Sequence, residues 1–212
     1  GDFAFKYCTS LKSISFQNNS KNIVSSELGH SVFENCSSLE TIVLPKYVRE
    51  IPKRTFAGCS NLKNLNIPDY VTNIEEEAFL ECTSLESITI PYNTYGNVQC
   101  FNGCSIKKDA FKWCNSLKEI NIPFLIIYIM WDPEYNFSLN DVFKNIYHSP
   151  SGINLTINIM YKENDKDYFD YGAPTNSLQK KIKGILEKIL NNIFESYTKD
   201  QLTWNISFVL IE

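Results

Sequence analysis

The chain has 212 residues, of which 43% are hydrophobic and 21% are charged, and its formal net charge is −4. Residues 1–123 carry about −1 and residues 124–212 about −3 by counting, so neither part has the basic character that nucleic acid or an anionic membrane attracts. The longest apolar run, residues 122–131, contains a proline and has about half of the roughly 20 residues of a membrane helix. These totals predict one elongated domain or two small ones, with no nucleic-acid binding and no membrane insertion.

One sequence phrase, A-F-x-x-C-x-x-L-x-x-I-x-I-P, occurs five times in residues 1–123. Its phenylalanines are Phe5, Phe33, Phe56, Phe79 and Phe111, and the two steps on either side of Phe56 are both 23 residues long. A fixed period in this range is typical of a solenoid, because one unit cannot bury its apolar face alone and must stack on its neighbours. Solenoid proteins mostly present surfaces that bind other molecules, so the repeat also favours a binding function.

Within each copy, the segment L-x-x-I-x-I-P alternates apolar and polar residues at its end, which predicts a short strand with one buried face. Leu85, Ile88 and Ile90 form this pattern in the fourth copy, and Pro91 ends it. A second apolar stretch, Y-V-x-x-I, follows in two copies and is expected on the other side of the coil. The A-F-x-x-C stretch predicts one or two turns of helix, because its phenylalanine and cysteine are three residues apart and would share the inner face.

If the recurring leucine and isoleucine residues point inward, two residues of every strand point outward. This outer strip consists of Ser13, Ser15, Thr41, Val43, Asn64, Asn66, Ser87, Thr89, Glu119 and Asn121. Asn64, Asn66, Thr89 and Asn121 are candidate partner-binding residues, although the strip contains no Trp, Tyr or Arg of the kind that anchors interfaces. We favour the alternative, a solvated ladder in which neighbouring side chains bond to one another.

Aromatic residues outside the strands are better candidates for contact with a partner, since such side chains dominate binding hot spots. They are Tyr47, Tyr70, Tyr92, Tyr95 and Phe101. The first two hold equivalent repeat positions, so they would alternatively pack on each other. The last three lie in an insertion between Pro91 and Ile106, which is either a loop or a decayed half-repeat.

Five of the seven cysteines occupy the same repeat position, and we expect them to point into the core as small apolar side chains. The remaining two, Cys100 and Cys104, could pair with each other or hold a metal. A lone C-x3-C without a second ligand pair lacks the spacing of a four-ligand zinc site. The sequence therefore predicts no metal site.

The five copies resemble the BspA-like class of leucine-rich repeats, also described as the Treponema pallidum-type class, over residues 2–123. The resemblance implies an α/β fold, a right-handed solenoid with a parallel sheet of short strands on one side. It also implies a protein–protein interaction or adhesion module at a cell surface, whose partner is a host or self surface protein. It implies no catalytic residue and no cofactor. Because the first copy follows Gly1 directly, we expect the chain to be part of a longer array.

Residues 124–212 do not repeat the phrase and are predicted to follow the solenoid as a small α/β cap or domain, in the order strand, helix, strand, helix, strand. The predicted strands are residues 124–131, 153–161 and 204–211. The second helix has a continuous apolar stripe, and Asn176 with Gln179 offers a capping box at its start. This tail is either a cap packed on the last coil or a ligand-binding or enzymatic domain that the repeats carry.

No arrangement of residues typical of catalysis occurs in the sequence. His30 and His148 are the only histidines, neither lies in a metalloprotease motif, and glycine-rich phosphate loops are missing. The acidic run at residues 163–170 departs from a calcium loop, because Asp170 stands where glycine is needed. We therefore predict a non-enzymatic protein.

Overall fold

The computed structural model describes residues 1–16, 27–91, 104–123, 153–161, 176–193 and 202–210. In this part of the chain the strands are β1 (Ser13–Ser15), β2 (Thr41–Val43), β3 (Glu50–Ile51), β4 (Asn64–Asn66), β5 (Asn73–Ile74), β6 (Ser87–Thr89), β7 (Ser105–Ile106), β8 (Glu119–Pro123), β9 (Ile153–Tyr161) and β10 (Leu202–Leu210). The helix α1 spans Asn176–Ile193. The predicted strand at 124–131, the first predicted helix of the tail and the insertion that holds Tyr92, Tyr95, Cys100 and Phe101 lie outside the described residues.

The strands pair in parallel from coil to coil. β1 pairs with β2, and a five-stranded sheet has the order β10-β9-β8-β6-β4. β3, β5 and β7 form a third sheet, in which β3 and β5 come from the second apolar stretch of their coils. Leu65 lies opposite Ile88, and Ile88 lies opposite Ile120. Equivalent repeat positions are therefore in register, which is the arrangement of the expected solenoid.

Stacked phenyl rings form the centre of the core. The ring centroids of Phe5 and Phe33, Phe33 and Phe56, Phe56 and Phe79, and Phe79 and Phe111 are 5.5, 5.6, 5.4 and 5.2 Å apart, with nearly parallel planes. Such pairs contribute about 0.5–1.5 kcal/mol beyond the area they bury. The recurring phenylalanine thus joins each coil to the next.

The predicted cysteine ladder is confirmed for four of the five repeats. The thiol of each buried cysteine at the repeat position donates a hydrogen bond to the phenylalanine carbonyl of the preceding coil, as from Cys59 to Phe33 at 3.1 Å and from Cys82 to Phe56 at 3.2 Å. Burial raises the pKa of Cys36 to about 11 and also raises the pKa of Cys59, Cys82 and Cys114. The prediction is wrong for Cys8, which is exposed because no described coil covers that side of the first repeat.

The A-F-x-x-C stretch forms tight turns, so the predicted turns of helix are wrong. In the third repeat, the Cys59 N–H donates to the Phe56 carbonyl at 3.0 Å, while the Phe56 N–H donates to Ala78 of the next coil at 2.8 Å. Gly58 has φ +73°, and positive φ recurs at the equivalent residues Tyr7, Asn35, Glu81 and Trp113. A helix would keep these donors within itself, whereas the turn directs alternate N–H groups to the neighbouring coil. Spacing of three residues fits both conformations.

In the tail, the predicted second helix and the last two strands are confirmed with small shifts in their bounds. Ile182, Leu186 and Leu190 of α1 are buried in the same core cluster as the repeats. β9 pairs with β8 and with β10. The described strands of the tail thus extend the sheet of the solenoid, and the domain boundary after residue 123 stays a prediction.

Candidate functional site

The outer strip of the sheet is solvent-facing, as predicted. Thr41 and Val43 flank the buried Ile42, and Asn64 and Asn66 flank the buried Leu65. The outward residues form two rows across the sheet. The first row is Ser13, Thr41, Asn64, Ser87, Glu119, Thr156 and Asn205, and the second row is Ser15, Val43, Asn66, Thr89, Asn121, Asn158 and Ser207.

From β6 to β10 the second row is a chain of hydrogen bonds. Ser207 donates to the Asn158 side-chain oxygen, Asn158 donates to Asn121 at 2.8 Å, and Asn121 donates to the Thr89 hydroxyl at 3.1 Å. Asn158 also donates to Glu119 at 3.0 Å. The polar side chains of this part of the strip therefore satisfy one another, which confirms the ladder interpretation there.

The chain of hydrogen bonds does not continue to β2, where Val43 occupies the second row. Val43 is 59% exposed and offers no polar atom to Asn66 on the neighbouring coil. Among the described residues, Asn66 makes no side-chain hydrogen bond, whereas Asn64 of the first row accepts one from Ser87 at 3.0 Å. The outer strip therefore changes character between β2 and β4.

The main chain is interrupted at the same place. At other junctions the main-chain N–H of the residue after the recurring leucine donates to a carbonyl of the preceding coil. Glu40 donates to Lys12 at 2.8 Å, and Glu86 donates to Lys63 at 2.9 Å. Within the described chain β2 and β4 do not pair as strands, and the main-chain bond expected from Lys63 to Glu40 is missing. We call this interruption between β2 and β4 the seam.

A groove of about 480 Å³ opens at the seam. Its lining residues are Ile42, Val43, Leu44, Lys46, Asn66, Ile67, Pro68, Asp69 and Tyr70. The Tyr70 ring packs edge-on against Tyr47 with 5.0 Å between centroids, and Lys46 lies 5.5 Å from the Tyr47 ring centroid. The groove is lined by both apolar and polar side chains, and polar groups within such a cleft can orient a ligand.

The coils beside the seam are held together on the opposite, turn-side face. The Arg54 guanidinium pairs with Glu34 at 2.9 Å and with Glu77, while Lys6 pairs with Glu34 at 2.9 Å, so this network spans four coils. Burial alone would raise the pKa of Glu34, but hydrogen bonds from Lys6, Arg54 and Ser31 outweigh it and the pKa is lowered. The turn side is therefore firmly bonded where the sheet side is open.

The structure brings together two of the residues predicted to bind a partner, Asn66 and Tyr70, in the groove. Tyr47 packs against Tyr70, which confirms the alternative that these rings contact each other. Asn64, Thr89 and Asn121 belong to the bonded strip, and the three aromatic residues of the insertion lie outside the described residues. A binding role of each stays a prediction.

Sequence reasoning missed Val43, Lys46 and Asp69 as groove residues. One signal was available, because Val43 is the single apolar residue of the outer strip in the five repeats. The seam itself leaves no mark in the repeat pattern. It arises from the contact between two coils whose recurring residues are all present.

The described ranges hold neither a candidate metal site nor a helix that could span a membrane. There, no group of three or more His, Cys, Asp or Glu side chains is placed to hold a metal ion. None of the helices in this part of the chain has both the length and the apolarity needed to cross a membrane. The alternative of an enzymatic tail depends mostly on residues outside these ranges and stays a prediction.

A family model described as "BspA type Leucine rich repeat region (6 copies)" matches residues 1–107 and 105–207. The match therefore extends into the tail, where the sequence interpretation recognised no repeat. The signal that was overlooked is the I-x-I element of the repeats, which recurs as Ile157-Asn158-Ile159 in β9. Its outward Asn158 continues the second row.

Several solved structures resemble the chain. A leucine-rich repeat protein from Bacteroides ovatus is 24% identical with a TM-score of 0.52, and the match covers 76% of this chain and 36% of that one. The pneumococcal vaccine antigen PcpA is 18% identical with a TM-score of 0.53, covering 100% and 38%. A leucine-rich repeat protein of T. pallidum is 26% identical with a TM-score of 0.48, covering 58% and 51%.

The first two of these likenesses show a shared fold. The matched region spans only 36%, 38% and 51% of the three proteins' lengths. No protein with a curated function matches the chain significantly in sequence.

Proposed function

The chain belongs to the BspA-type leucine-rich repeat family, and from this premise we propose that it is a non-enzymatic protein-interaction or adhesion module that binds an extended segment of a host or self surface protein. The observation that carries the proposal is the groove at the seam. It is the place on the outer strip where an exposed apolar side chain, Val43, lies beside an amide without a side-chain partner among the described residues, Asn66.

The lining of the groove favours an uncharged, extended ligand. Val43 supplies apolar surface for one anchoring side chain, since burying an exposed valine contributes about 1.5–3 kcal/mol at most. Asn66 carries both a donor and an acceptor, so its amide can bond the N–H and C=O of an extended main chain. Lys46 and Asp69, which also line the groove, have opposite charges, so the two together leave no net charge that would attract a strongly charged anchor.

The remainder of the outer strip is a poorer contact surface. Its side chains from β6 to β10 already bond to one another, so a partner would have to replace those bonds with its own. Such exchange gives little net free energy. Contact there would position a ligand, and the groove would supply the affinity.

The groove proposal can be tested with a displayed library of random linear peptides selected on the immobilised chain. We expect enriched peptides to share one apolar anchor residue and to lose binding at least tenfold to Val43→Lys. Ser15→Lys is the matched control, because Ser15 is an exposed residue of the same row outside the groove. If no peptide distinguishes the wild type from Val43→Lys, the groove is not the binding site.

We further propose that the chain is part of a longer array displayed at a cell surface, as is expected of this family. Antibodies raised against the chain should label intact cells of the source organism as strongly as permeabilised cells. Labelling only after permeabilisation would contradict surface display, while leaving the groove proposal to its own test.

A further inference from the structure

The strand β10 forms an unusual edge of the five-stranded sheet. It is nine residues long, Leu202–Leu210, and among the described residues no strand pairs with its outer side. Natural sheets protect such edges with charged residues, proline or short strands, because a long uncharged edge invites another chain to pair with it. The segment LTWNISFVL contains neither a charged residue nor a proline.

We propose that the outer edge of β10 pairs with β10 of a second copy of this chain, antiparallel and about a two-fold axis through Ile206. The inference does not depend on the proposed function, because β10 is separate from the groove. Length favours this occupant over another coil strand: β1 to β8 are two to five residues long, whereas β9 and β10 have nine. β9 is already bonded on both sides, to β8 and β10.

The register of this pairing is chemically consistent on both faces of the sheet. An axis through Ile206 sets Asn205 opposite Ser207 of the second copy, so an amide meets a hydroxyl and the polar strip continues across the interface. Ile206, which is 5% exposed, meets its own counterpart on the core side. No charged residue of β10 is brought near a like charge, because the strand has none.

Pairing by β10 has a geometric consequence. A two-fold interface uses the same strand in both copies and therefore closes, giving a dimer and no filament. At about 3.4 Å per residue the paired strands would be in contact over roughly 30 Å. Joining the two sheets also removes the unprotected edge from solvent.

The first test is the mass of the full chain in solution, measured by light scattering after gel filtration over a range of concentrations. At high concentration we expect a mass about twice the 24.5 kDa of one chain. Asn205→Lys should abolish the dimer, because the two introduced lysines would lie diagonally across the interface and their like charges would repel each other. Asn205 is exposed, so the variant should fold. Ser13→Lys, at an exposed outward residue of β1 in the same row and outside the groove, is the matched control and should remain dimeric.

A second test reports the register. In a Cys8→Ser, Cys100→Ser background, which removes the one exposed thiol among the described cysteines and the cysteine outside the described residues, a mixture of Asn205→Cys and Ser207→Cys should form an intermolecular disulfide on mild oxidation that neither variant forms alone. A monomer at every concentration, a dimer that survives Asn205→Lys, a dimer lost equally in Ser13→Lys, or no mixed disulfide from a dimeric chain would each overturn the proposed pairing.

Discussion

Two regions of one outer strip, built from the same repeat, behave differently. From β6 to β10 the outward side chains form a bonded polar chain, and the strands beneath are joined by main-chain hydrogen bonds. At the seam the strip carries Val43 and an Asn66 whose side chain makes no hydrogen bond among the described residues, and β2 and β4 do not pair as strands. The recurring residues are all present in the two coils at the seam, so the difference comes from residues that do not recur.

The contacts that hold the solenoid together are distinct from the surface that it can offer a partner. The phenylalanine stack and the cysteine-to-carbonyl bonds continue across the seam without a break. Only the sheet side opens, because the turn side has its own ring contacts, thiol bonds and ion pairs. A repeat can therefore lose its strand pairing at one junction and keep its core.

The largest expected effect on stability comes from removing one ring of the phenylalanine stack that continues across the seam. Phe56 is fully buried between Phe33 and Phe79, and Phe56→Ala should cost about 3–5 kcal/mol of unfolding free energy as a large core deletion. Denaturant melts followed by circular dichroism measure this loss. Asn64→Ala on the outer strip should change the free energy by no more than about 0.5 kcal/mol, and equal losses would mean that the inward and outward assignment is wrong.

The ion pairs on the turn side should matter next. Glu34→Gln removes the buried charge that pairs with Lys6 and Arg54, whose side chains are 27% and 34% exposed. We expect a loss of roughly 1–3 kcal/mol, below the 3–5 kcal/mol of fully buried pairs, because solvent screens the two cations.

The same carboxylate predicts a pH dependence. Because the pKa of Glu34 is lowered in the folded chain, its stabilisation is present above the ordinary value of 4.5 and is lost as the pH falls through the lowered pKa. The wild type should therefore lose its advantage over Glu34→Gln in melts at acid pH. An advantage that persists unchanged in acid would show that Glu34 is not ionised in the folded state.

The bonded strip and the seam should respond differently to the same substitution. Asn158→Ala removes bonds to Asn121, Glu119 and Ser207 and should cost about 1–2 kcal/mol. Asn66→Ala removes none that the described residues make and should fall within about 0.5 kcal/mol. Urea melts of the two variants compare them directly, and similar losses would place Asn66 in a bonded network as well.

Extending the chain of polar hydrogen bonds across the seam should have the smallest effect on the free energy of unfolding, and this effect should be stabilising. In Val43→Thr, the new hydroxyl would take the place that the Thr89 hydroxyl has beside Asn121 and accept a bond from Asn66. We expect a gain of about 0.5 kcal/mol and weaker peptide binding. Val43→Ala removes the apolar contact without adding an acceptor, so it should weaken binding with no gain in thermal stability.

The sequence predicted the solenoid well because its core depends on recurring residues. Phe33, Phe56 and Cys59 are buried as their spacing indicated. Two features of the structure could not be predicted from the recurring residues, and each has a physical cause. Three-residue spacing cannot separate a helical turn from the tight turn at Gly58, and the seam depends on how Val43 and Asn66 meet across coils that are 23 residues apart in sequence.

In the tail, the structure shows a repeat pattern that the sequence interpretation did not recognise. Its strands lack the complete phrase, so no repeat was recognised, but Ile157 lies opposite Ile120 and Asn158 opposite Asn121. Strand register preserves the inward and outward alternation after the phenylalanine and cysteine have disappeared. A short alternating element was therefore more informative there than the full motif.

The most direct test of the seam is amide hydrogen exchange at one repeat position, the residue after the recurring leucine. The Glu86 and Lys118 amides donate to the preceding coil at 2.9 and 2.8 Å, whereas the equivalent Lys63 amide has no such acceptor in the described structure. We predict that Lys63 exchanges much faster than Glu86 and Lys118 under native conditions, since an amide without a bond needs no opening event. Equal protection at the three amides would contradict the open seam and the groove that depends on it.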